Sequence, residues 1–356
     1  MKKICIDIRM INSSGIGTFI KDVVIAMVKE TPDIFYYLLV MSDGLEYIKK
    51  SKLNNVKVII FNSKIFTLRE QFEFLVKLPK DIDLYFSPHY IIPWFCNVKI
   101  IATIHDVLQL AHPELSGGII KSWFAYVYIK YACIRARKIV TVSFFSKNEI
   151  SKYTGTKSEK ITVIYNAVNR YWLDAKKTNP INDRPFILSV GNVKKHKNLK
   201  ILIGAFDKIK DKVNCDLIIV GKKDGFITGE FKSLKNIIYN DRIKFTGYVD
   251  DDKLVQYYKQ AKIFIFPSLY EGFGLPPLEA ILSGCERVLC SNKASIPEIC
   301  KNYVEYFDAE NMDSLIDKIL HKKTEFNNVL VKTKIINEYS SKNSQAKLSN
   351  LIDNVI

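Results

Sequence analysis

The sequence predicts an α/β protein with two doubly wound parallel sheets, on three observations. Short apolar runs rich in β-branched and aromatic residues alternate with amphipathic segments along the chain. The alternation occurs twice, before and after a polar segment at 174–185 that contains two prolines, which we interpret as an interdomain linker. A length of 356 residues with 48% hydrophobic residues suffices for two cores of ordinary size.

The predicted elements alternate regularly in both halves. In the first half the strands lie at 3–8, 35–40, 56–61, 83–87, 99–104, 138–143 and 160–165. The helices between them lie at about 17–30, 67–78, 118–137 and 144–154, the last capped by Ser143. In the second half we predict strands at 186–191, 216–221, 243–249, 263–268 and 287–291. Helices are predicted near 198–210, 250–261, 276–284 and 311–322, with a polar helix at the C-terminus.

Composition narrows the class of protein. No apolar run approaches the ~18 residues that a membrane-spanning helix needs. The seven cysteines are odd in number and include no C-x-x-C pair, which argues against a disulfide framework and against a zinc site. We therefore expect a cytoplasmic protein that is soluble or peripheral to a membrane.

The net charge of +16 calls for an anionic partner. The segment 115–148 contains no acidic residue, but it carries six basic residues with interleaved aromatics. This mixture is typical of a helix on an anionic membrane surface, although an ordinary helix with half of its aromatics in the core remains the alternative. Nucleic acid is not expected, because no RNP, KH, helix-turn-helix or finger pattern accompanies the charge.

The stretch from Glu271 to Glu279 carries the strongest chemical signal. An apolar strand runs into a glycine-bracketed loop and then into a helix start, an arrangement that suits a diphosphate. The prolines at 276 and 277 have no N–H, so the backbone donors come from Gly272, Phe273, Gly274 and Leu275. The two carboxylates beside them can accept hydrogen bonds from hydroxyls. Together these groups indicate a sugar attached to a nucleotide, with an ordinary tight turn as the alternative.

Residues 266–280, FPSLYEGFGLPPLEA, resemble the two-glutamate signature of retaining glycosyltransferases of family 4. The resemblance implies the GT-B fold, two Rossmann-like domains facing a cleft. It gives an N-terminal acceptor-binding domain at 1–173, a linker at 174–185, a C-terminal nucleotide-sugar-binding domain at 186–339, and a helix at 340–356 that returns to the first domain. It also implies that Glu271 and the 272–274 backbone contact the sugar, and that Glu279 contacts the ribose hydroxyls.

The segment 191–200, GNVKKHKNLK, resembles the phosphate-binding loop of that family. By this resemblance Lys197 contacts the donor pyrophosphate, a task for which an ammonium point charge is suited, and Asn192 lies beside the donor. The family's Pro-Arg pair is Lys195-His196 here, so one phosphate-facing guanidinium is missing. Lys194 or Lys195 is the expected substitute.

The first half contributes residues that follow strands, where open α/β sheets bind ligands. Gly15 and Gly17 form a G-x-G loop that the resemblance places near acceptor and donor phosphate. His105 and Asp106, in TIHDVLQLAHPE, resemble the H-D segment of mannosyl-type members, where the histidine lies against the donor sugar and closes the site from the other domain. A structural histidine whose ring Asp106 orients is the alternative. His89 has a weaker claim.

Two departures from simple patterns complete the sequence picture. In GCERV (284–288) Arg287 replaces the family's proline, and we expect this change near the nucleotide. Asp81-Ile82-Asp83 has the D-x-D form of metal motifs but precedes a strand far in sequence from every phosphate signal. We interpret it as a loop end and expect neither a metal nor another cofactor.

The resemblance implies a retaining glycosyltransferase that uses His105, Lys197 and Glu271 in catalysis. The expected donor is GDP-mannose or a UDP-sugar, and the expected acceptor is a glycan or polyprenyl-linked oligosaccharide in bacterial surface polysaccharide synthesis. The protein should sit on the inner face of the cytoplasmic membrane. The alternative is a non-catalytic scaffold of the same fold that binds sugar nucleotide or lipid, against which the intact set of Glu271, Glu279, Lys197 and His105 argues.

Overall fold

A computed structural model describes residues 1–173, 179–221, 241–321 and 328–356, with the side chain of residue 328 excepted. The chain forms two compact units, residues 1–167 with 338–356, and residues 168–337. Each unit is built on one sheet whose neighbouring strands all run parallel. The predicted α/β class with two Rossmann-like sheets is thereby confirmed. Residues 174–178 of the predicted linker lie outside the described residues.

The first unit contains a seven-stranded sheet with the order β3-β2-β1-β4-β5-β6-β7. Strand order reverses between β1 and β4, and ligands of doubly wound sheets bind at the carboxyl ends of strands beside such a point. The strands are β1 (Lys3–Asp7), β2 (Phe35–Val40), β3 (Val56–Ile60), β4 (Leu84–Ser87), β5 (Lys99–Thr103), β6 (Lys138–Thr141) and β7 (Ile161–Val163).

Helices at 14–30, 68–77, 119–135 and 144–154 lie close to the predicted positions, whereas those at 45–51, 108–111 and 113–116 were not predicted. They are α1 (Ser14–Phe19), a π-helical stretch (Ile20–Ile25), α2 (Ala26–Glu30), α3 (Leu45–Ser51), α4 (Leu68–Lys77), α5 (Leu108–Ala111), α6 (Pro113–Ser116), α7 (Ile119–Arg135) and α8 (Phe144–Thr154). The Ser143 side chain accepts a hydrogen bond from the Ser146 N–H, which confirms it as the cap of α8. The core between α4, α7 and the sheet is apolar, with Phe74, Tyr85 and Ile129 fully buried.

The second unit contains a six-stranded parallel sheet with the order β10-β9-β8-β11-β12-β13. Its strands are β8 (Phe186–Val190), β9 (Asp216–Val220), β10 (Ile243–Gly247), β11 (Ile263–Phe266), β12 (Val288–Ser291) and β13 (Glu305–Phe307). The sequence did not predict β13, because three residues are too few to show a period. Its described helices are α9 (Leu199–Ile209), α10 (Asp251–Gln260), α11 (Leu275–Ser283), α12 (Ile296–Cys300), α13 (Met312–Leu320) and α14 (Asn328–Glu338).

The last helix, α15 (Ser341–Asp353), packs within the first unit. The Ser344 hydroxyl donates to the Tyr165 carbonyl oxygen at 2.8 Å, and the Tyr339 and Tyr165 rings lie 5.5 Å apart. The boundary after β7 differs from the predicted one, since residues 168–173 belong to the second unit. The reason is aromatic packing, because the Trp172 ring lies 5.8 Å from that of the buried Tyr258.

Within the described ranges, no helix has the length and apolarity needed to traverse a bilayer.

Candidate functional site

The loop between β11 and α11 has the strand, glycine turn and helix arrangement that the sequence predicts. Gly274 has φ of 100°, in the left-handed region that favours glycine, and α11 begins at the next residue. Pro276 and Pro277 occupy the first helical turn, where a missing N–H costs no helical hydrogen bond. The loop residues 272–275 are buried, while Glu271 is partly exposed.

Ser295, which the sequence reasoning did not single out, fixes this loop. Its hydroxyl lies 2.9 Å from the carbonyl oxygens of both Glu271 and Phe273. A planar trans peptide places its N–H opposite its C=O, so the N–H groups of Gly272 and Gly274 point away from Ser295. The loop therefore presents two amides in one general direction, as an anion cradle requires. The only sequence signal for Ser295 is its place within SNKASIPEI (291–299), which resembles the family's S-N-x-x-x-x-P-E segment.

Lys197 and Glu271 form an ion pair beside the loop. The Lys197 Nζ lies 2.6 Å from Glu271 Oε1, with side-chain exposures of 19% and 14%. Nζ also lies 5.4 Å from the centre of the Phe266 ring. The Leu269 N–H donates to the His196 carbonyl oxygen at 2.7 Å, which joins the two loops. The structure thus brings together the residues predicted for pyrophosphate and for sugar, 74 positions apart in the chain.

The residue in place of the family arginine carries no charge at neutral pH. Burial, and then the neighbouring positive charge of Lys197, lower the pKa of His196 to about 4. Lys194 and Lys195, the substitutes predicted from the sequence, are both exposed. The His196 carbonyl oxygen therefore helps to position the two loops, and its neutral ring does not attract phosphate electrostatically.

Glu279 lies in α11, one turn beyond the loop, and is partly exposed. The hydroxyl of Tyr258 donates to Glu279 Oε2 at 3.0 Å. Burial of the Tyr258 ring, followed by the Glu279 charge, raises the pKa of this hydroxyl well above its usual range, so it remains a donor. Asn192, at the end of β8, is partly buried.

Arg287 corrects one expectation. It precedes β12 and so lies at the amino edge of the sheet, opposite the edge that carries the loop. Its guanidinium pairs with Glu305 at 2.6 and 2.8 Å and donates to the carbonyl oxygens of Lys318 and His321 at 2.6 and 3.1 Å. A buried cation at the carboxyl end of α13 is favoured by the helix dipole. Arg287, which stands where the family has a proline, therefore contacts the end of α13 and not a loop beside the nucleotide.

In the first unit, the carboxyl end of β1 carries a buried charged cluster. The Arg9 side chain forms two hydrogen bonds to Asp7, from Nε at 2.8 Å and from Nη2 at 2.6 Å, and Nη2 also lies 2.7 Å from Glu70. The guanidinium lies about 5 Å from the centres of the Phe61 and Phe74 rings. Burial would raise the pKa of Asp7, but Arg9 and His89 outweigh it and hold that pKa well below its usual range. Asp7 is thus held ionised beside Arg9, whereas burial raises the pKa of Glu70, the second carboxylate on the same guanidinium.

His89 extends this cluster toward His105. The N–H of Ile91 donates to His89 Nδ1 at 3.1 Å, so the ring proton must be on Nε2, which lies 3.2 Å from Asp7 Oδ2. His105 Nε2 lies 2.9 Å from the Pro88 carbonyl oxygen, which can only accept. Burial lowers the pKa of His105 to about 4. His105 is therefore neutral at pH 7, with Nδ1 as a hydrogen-bond acceptor.

The other predicted residues of the first unit have local contacts. Gly15 and Gly17 lie inside α1 and not in a loop, because the helix begins at Ser14 instead of at 17. A Cβ on Gly17 would lie 2.4 Å from the Ile11 carbonyl oxygen, so this close approach requires glycine. Asp106 accepts from the Leu108 N–H at 3.0 Å, and it is the Pro88 carbonyl that hydrogen-bonds the His105 ring.

The D-x-D sequence lies at the amino edge of the first sheet. The Lys3 N–H donates to Asp83 at 2.8 Å, and the Lys3 side chain pairs with Asp81. Both carboxylates thus hold the start of β1, as expected of a loop end. In the part of the chain that the structure describes, no group of three potential metal ligands occurs.

The acid-free segment forms α7, and its aromatics divide between two environments. Trp123 and Phe124 contact each other edge to face and are 61% and 55% exposed. Tyr128 and Tyr131 are partly buried, and the Tyr131 hydroxyl donates to the Trp94 carbonyl oxygen at 2.7 Å. Core packing therefore accounts for Tyr128 and Tyr131, whereas Trp123 and Phe124 remain exposed to solvent.

Comparison with known proteins identifies the family. Residues 14–171 match the family described as Glycosyltransferase Family 4, and residues 171–332 match Glycosyl transferases group 1. The O-antigen chain mannosyltransferase RfbU of Salmonella typhimurium is 30% identical over 236 residues, which cover 65% of this chain and 64% of that protein. The O-antigen chain mannosyltransferase B of Escherichia coli is 26% identical over 67% of this chain and 64% of its own length. The aligned stretches thus span just under two thirds of these relatives.

The fold is shared with solved structures. Anabaena Alr3699/HepE, crystallised with UDP and glucose, superimposes with a TM-score of 0.76 at 16% identity, covering 99% of this chain and 100% of that one. Two Rossmann-like sheets of seven and six parallel strands, with the glutamate loop at the carboxyl edge of the second, are the GT-B architecture. Because the two family profiles together span residues 14–332, the chain belongs to the family 4 glycosyltransferases.

Proposed function

We propose that this protein transfers a sugar from a nucleotide-diphosphate sugar to a glycan or lipid-linked acceptor, with retention of anomeric configuration. The observation that carries the proposal is the Lys197–Glu271 pair beside the glycine loop. A donor diphosphate would take Lys197 from Glu271, and the released carboxylate would accept hydrogen bonds from sugar hydroxyls. Donor binding thus exchanges one internal ion pair for two contacts to ligand.

In this proposal catalysis consists of positioning and electrostatic stabilisation. Lys197 and the loop amides stabilise the charge that grows on the departing diphosphate, which accepts the acceptor's proton on the front face. His105, neutral with Nδ1 as acceptor, orients a substrate hydroxyl. Five further residues remain predicted substrate contacts, namely Gly15, Gly17, Asp106, Asn192 and Leu275. No metal is proposed, and activity should persist in EDTA.

We propose GDP-mannose as the first donor to test and UDP-sugars as the second. The mannosyltransferase relatives support the former, and the fold neighbour crystallised with UDP supports the latter. The same relatives are named O-antigen chain mannosyltransferases, which supports a glycan as acceptor. A non-catalytic scaffold of this fold would bind the donor without turnover.

The decisive experiment compares Glu271→Ala with Glu279→Ala, using radiolabelled donors and product analysis. Both changes should lower transfer severely without unfolding the protein, because both side chains are partly exposed. Glu279→Ala should mainly weaken nucleotide binding, whereas Glu271→Ala should weaken discrimination among sugars. Turnover of Glu271→Ala near the unmodified rate with an authentic donor would refute the site assignment, and donor binding without any turnover would favour the scaffold.

We further propose that the protein binds the anionic inner face of the cytoplasmic membrane through α7. The support is the exposure of Trp123 and Phe124 on a helix without acidic residues. Replacing both by Ser should reduce sedimentation with phosphatidylglycerol vesicles and spare transfer to a short soluble acceptor. If the unmodified protein does not sediment with vesicles at low salt, the membrane proposal is wrong.

A further inference from the structure

The first unit contains a second concave surface, at the edge of its sheet opposite to His105. A cavity of about 750 Å³ opens at the amino ends of β5, β6 and β7. It is formed by the start of β5, the end of α7, the start of β6 and the turn at 154–160. We call it the basic cavity. Since His105 follows the carboxyl end of β5, the length of that strand separates the two surfaces.

The basic cavity has a one-sided charge. A single carboxylate, Glu159, faces seven basic side chains, which are Lys99, Lys130, Arg135, Arg137, Lys138, Lys157 and Lys160. Lys99 reaches an oxygen of the terminal residue, Ile356, at 2.7 Å. The other six have no carboxylate within ion-pair distance in the described ranges. The positive charge of these six side chains must therefore be neutralised by ions from solvent or by an anionic ligand.

Several of these side chains are fixed by neutral partners. Lys138 donates to the Glu159 carbonyl oxygen at 2.9 Å, and Lys160 donates to that of Ile134 at 3.2 Å. Lys130 donates to the Thr154 carbonyl oxygen, and Arg135 to that of Cys96. A carbonyl oxygen occupies one donor of an ammonium or guanidinium and leaves the rest available. The cations are thus held in place with donors remaining, which is an arrangement suited to phosphate oxygens.

The surroundings of the cavity are apolar. Ile134 lines it and is 66% exposed, and it ends a stripe on α7 with Ile120, Phe124 and Val127 at helical spacing. An adjoining depression shares Arg135 with the cavity and includes Phe95, which is 71% exposed. A soluble phosphate compound needs no such rim. A lipid headgroup, whose acyl chains begin a few ångströms from its phosphate, does.

We propose that the basic cavity binds the phosphate group of an anionic phospholipid. The apolar stripe of α7 then lies against the bilayer surface while the cavity receives a headgroup. This inference rests on the proposed membrane association and adds the site that selects anionic lipid; it does not depend on the sugar that is transferred.

The test uses the full-length protein and two charge-matched variants. The first, the cavity variant, replaces Arg137, Lys157 and Lys160 by Gln. The second, the control variant, replaces Lys49, Lys52 and Lys57 by Gln. It removes the same charge from the edge strand β3 and from the helix and turn that precede it. From β3 to β5 is four strand spacings, about 19 Å, beyond the ~10 Å over which exposed charges act at 0.1 M salt. Partition into vesicles with and without phosphatidylglycerol is measured, and inorganic pyrophosphate is added as a competitor.

We expect the cavity variant to lose about tenfold or more in binding to phosphatidylglycerol vesicles, and the control variant to lose about twofold or less. Equal losses in the two variants would overturn the cavity site while leaving membrane association intact. Absence of vesicle binding by the unmodified protein would overturn both. Displacement from vesicles by micromolar pyrophosphate, lost in the cavity variant, would show a site for a soluble phosphate compound instead.

Discussion

The ion pairs at the carboxyl edges of the two sheets differ in their exposure to solvent. In the first unit the side chains of Asp7, Arg9 and Glu70 have no exposed surface, and Arg9 pairs with both carboxylates. In the second, Lys197 and Glu271 also pair, but both side chains reach solvent. Breaking the buried pairs of Arg9 would lower the free energy of unfolding. The Lys197–Glu271 pair, in contrast, can be exchanged for contacts to a ligand. The difference is that the Arg9 pairs are closed to solvent, whereas the Lys197–Glu271 pair is accessible to the donor that we propose.

The largest effect should come from breaking the buried cluster. Arg9→Met leaves two carboxylates buried without their cation, and removal of one partner of such a pair costs about 3–5 kcal/mol. Urea unfolding followed by the aromatic signal of the first unit measures the loss. Lys50→Met, which breaks the exposed Lys50–Glu46 pair, is the control and should change the free energy of unfolding by less than about 1 kcal/mol. Similar values for both variants would remove the contrast between the two edges.

Lys197→Ala should lower kcat by about 10²- to 10³-fold, since it removes the donor that we propose for the departing diphosphate. Binding of the free nucleoside should change much less, because the ammonium acts on phosphate charge. Single-turnover rates and equilibrium binding, measured on the same preparation, separate the two effects. Equal losses in rate and in nucleoside affinity would place Lys197 in ground-state binding only.

A smaller effect is expected for Tyr258→Phe, which removes the hydroxyl that positions Glu279. One neutral-to-charged hydrogen bond is worth roughly 1.5 kcal/mol, or about tenfold in nucleotide affinity. Tyr257→Phe on the same helix is the matched control, since its ring packs on Phe186 and the hydroxyl that donates to Glu279 belongs to Tyr258. If both variants bind nucleotide like the unmodified protein, the carboxylate of Glu279 does not need the hydroxyl for its position.

The smallest effect is an absence of pH dependence in activity from about pH 6 to 8. Burial lowers the pKa of both His105 and His196 to about 4, so neither ring changes charge in that range. Stability should behave differently. Between pH 6.5 and 4 the unfolded state binds more protons at these rings than the folded state, so the melting temperature should fall as pH falls through that window. A kinetic pKa of 6 to 7 that disappears in His105→Gln would contradict the neutral assignment.

The second edge was more predictable from the sequence than the first. Glu271, Gly274 and Glu279 lie in one short motif, and local turn chemistry fixes their arrangement. Lys197 could be assigned only by resemblance, since a solvated basic turn has the same local pattern. The cluster around Asp7 combines residues from β1, α4 and the loop after β4. No local period reports such contacts, so Glu70 and the pairing of His89 with Asp7 were found only in the structure.

The errors in the fold prediction have similar causes. The start of α1 was placed at 17 because glycines suggest a loop, but Gly17 is required by the nearby Ile11 carbonyl within a helix. Arg287 was assigned to the nucleotide side by the resemblance of GCERV (284–288) to a family loop near the nucleotide. Its partners at Glu305 and at the end of α13 depend on strand pairing, which sequence distance does not reveal.

The Ser295 hydroxyl has a consequence for the order in which the site forms during synthesis. It holds the carbonyl oxygens of Glu271 and Phe273 from a position 24 and 22 residues later in the chain. Ser295 can reach them only after β12 has paired with β11. A nascent chain that ends before this residue would contain the whole glutamate motif and still lack the oriented amides. Arrested chains ending shortly before and well after residue 295 should therefore differ in nucleotide retention, although both carry every residue of the loop.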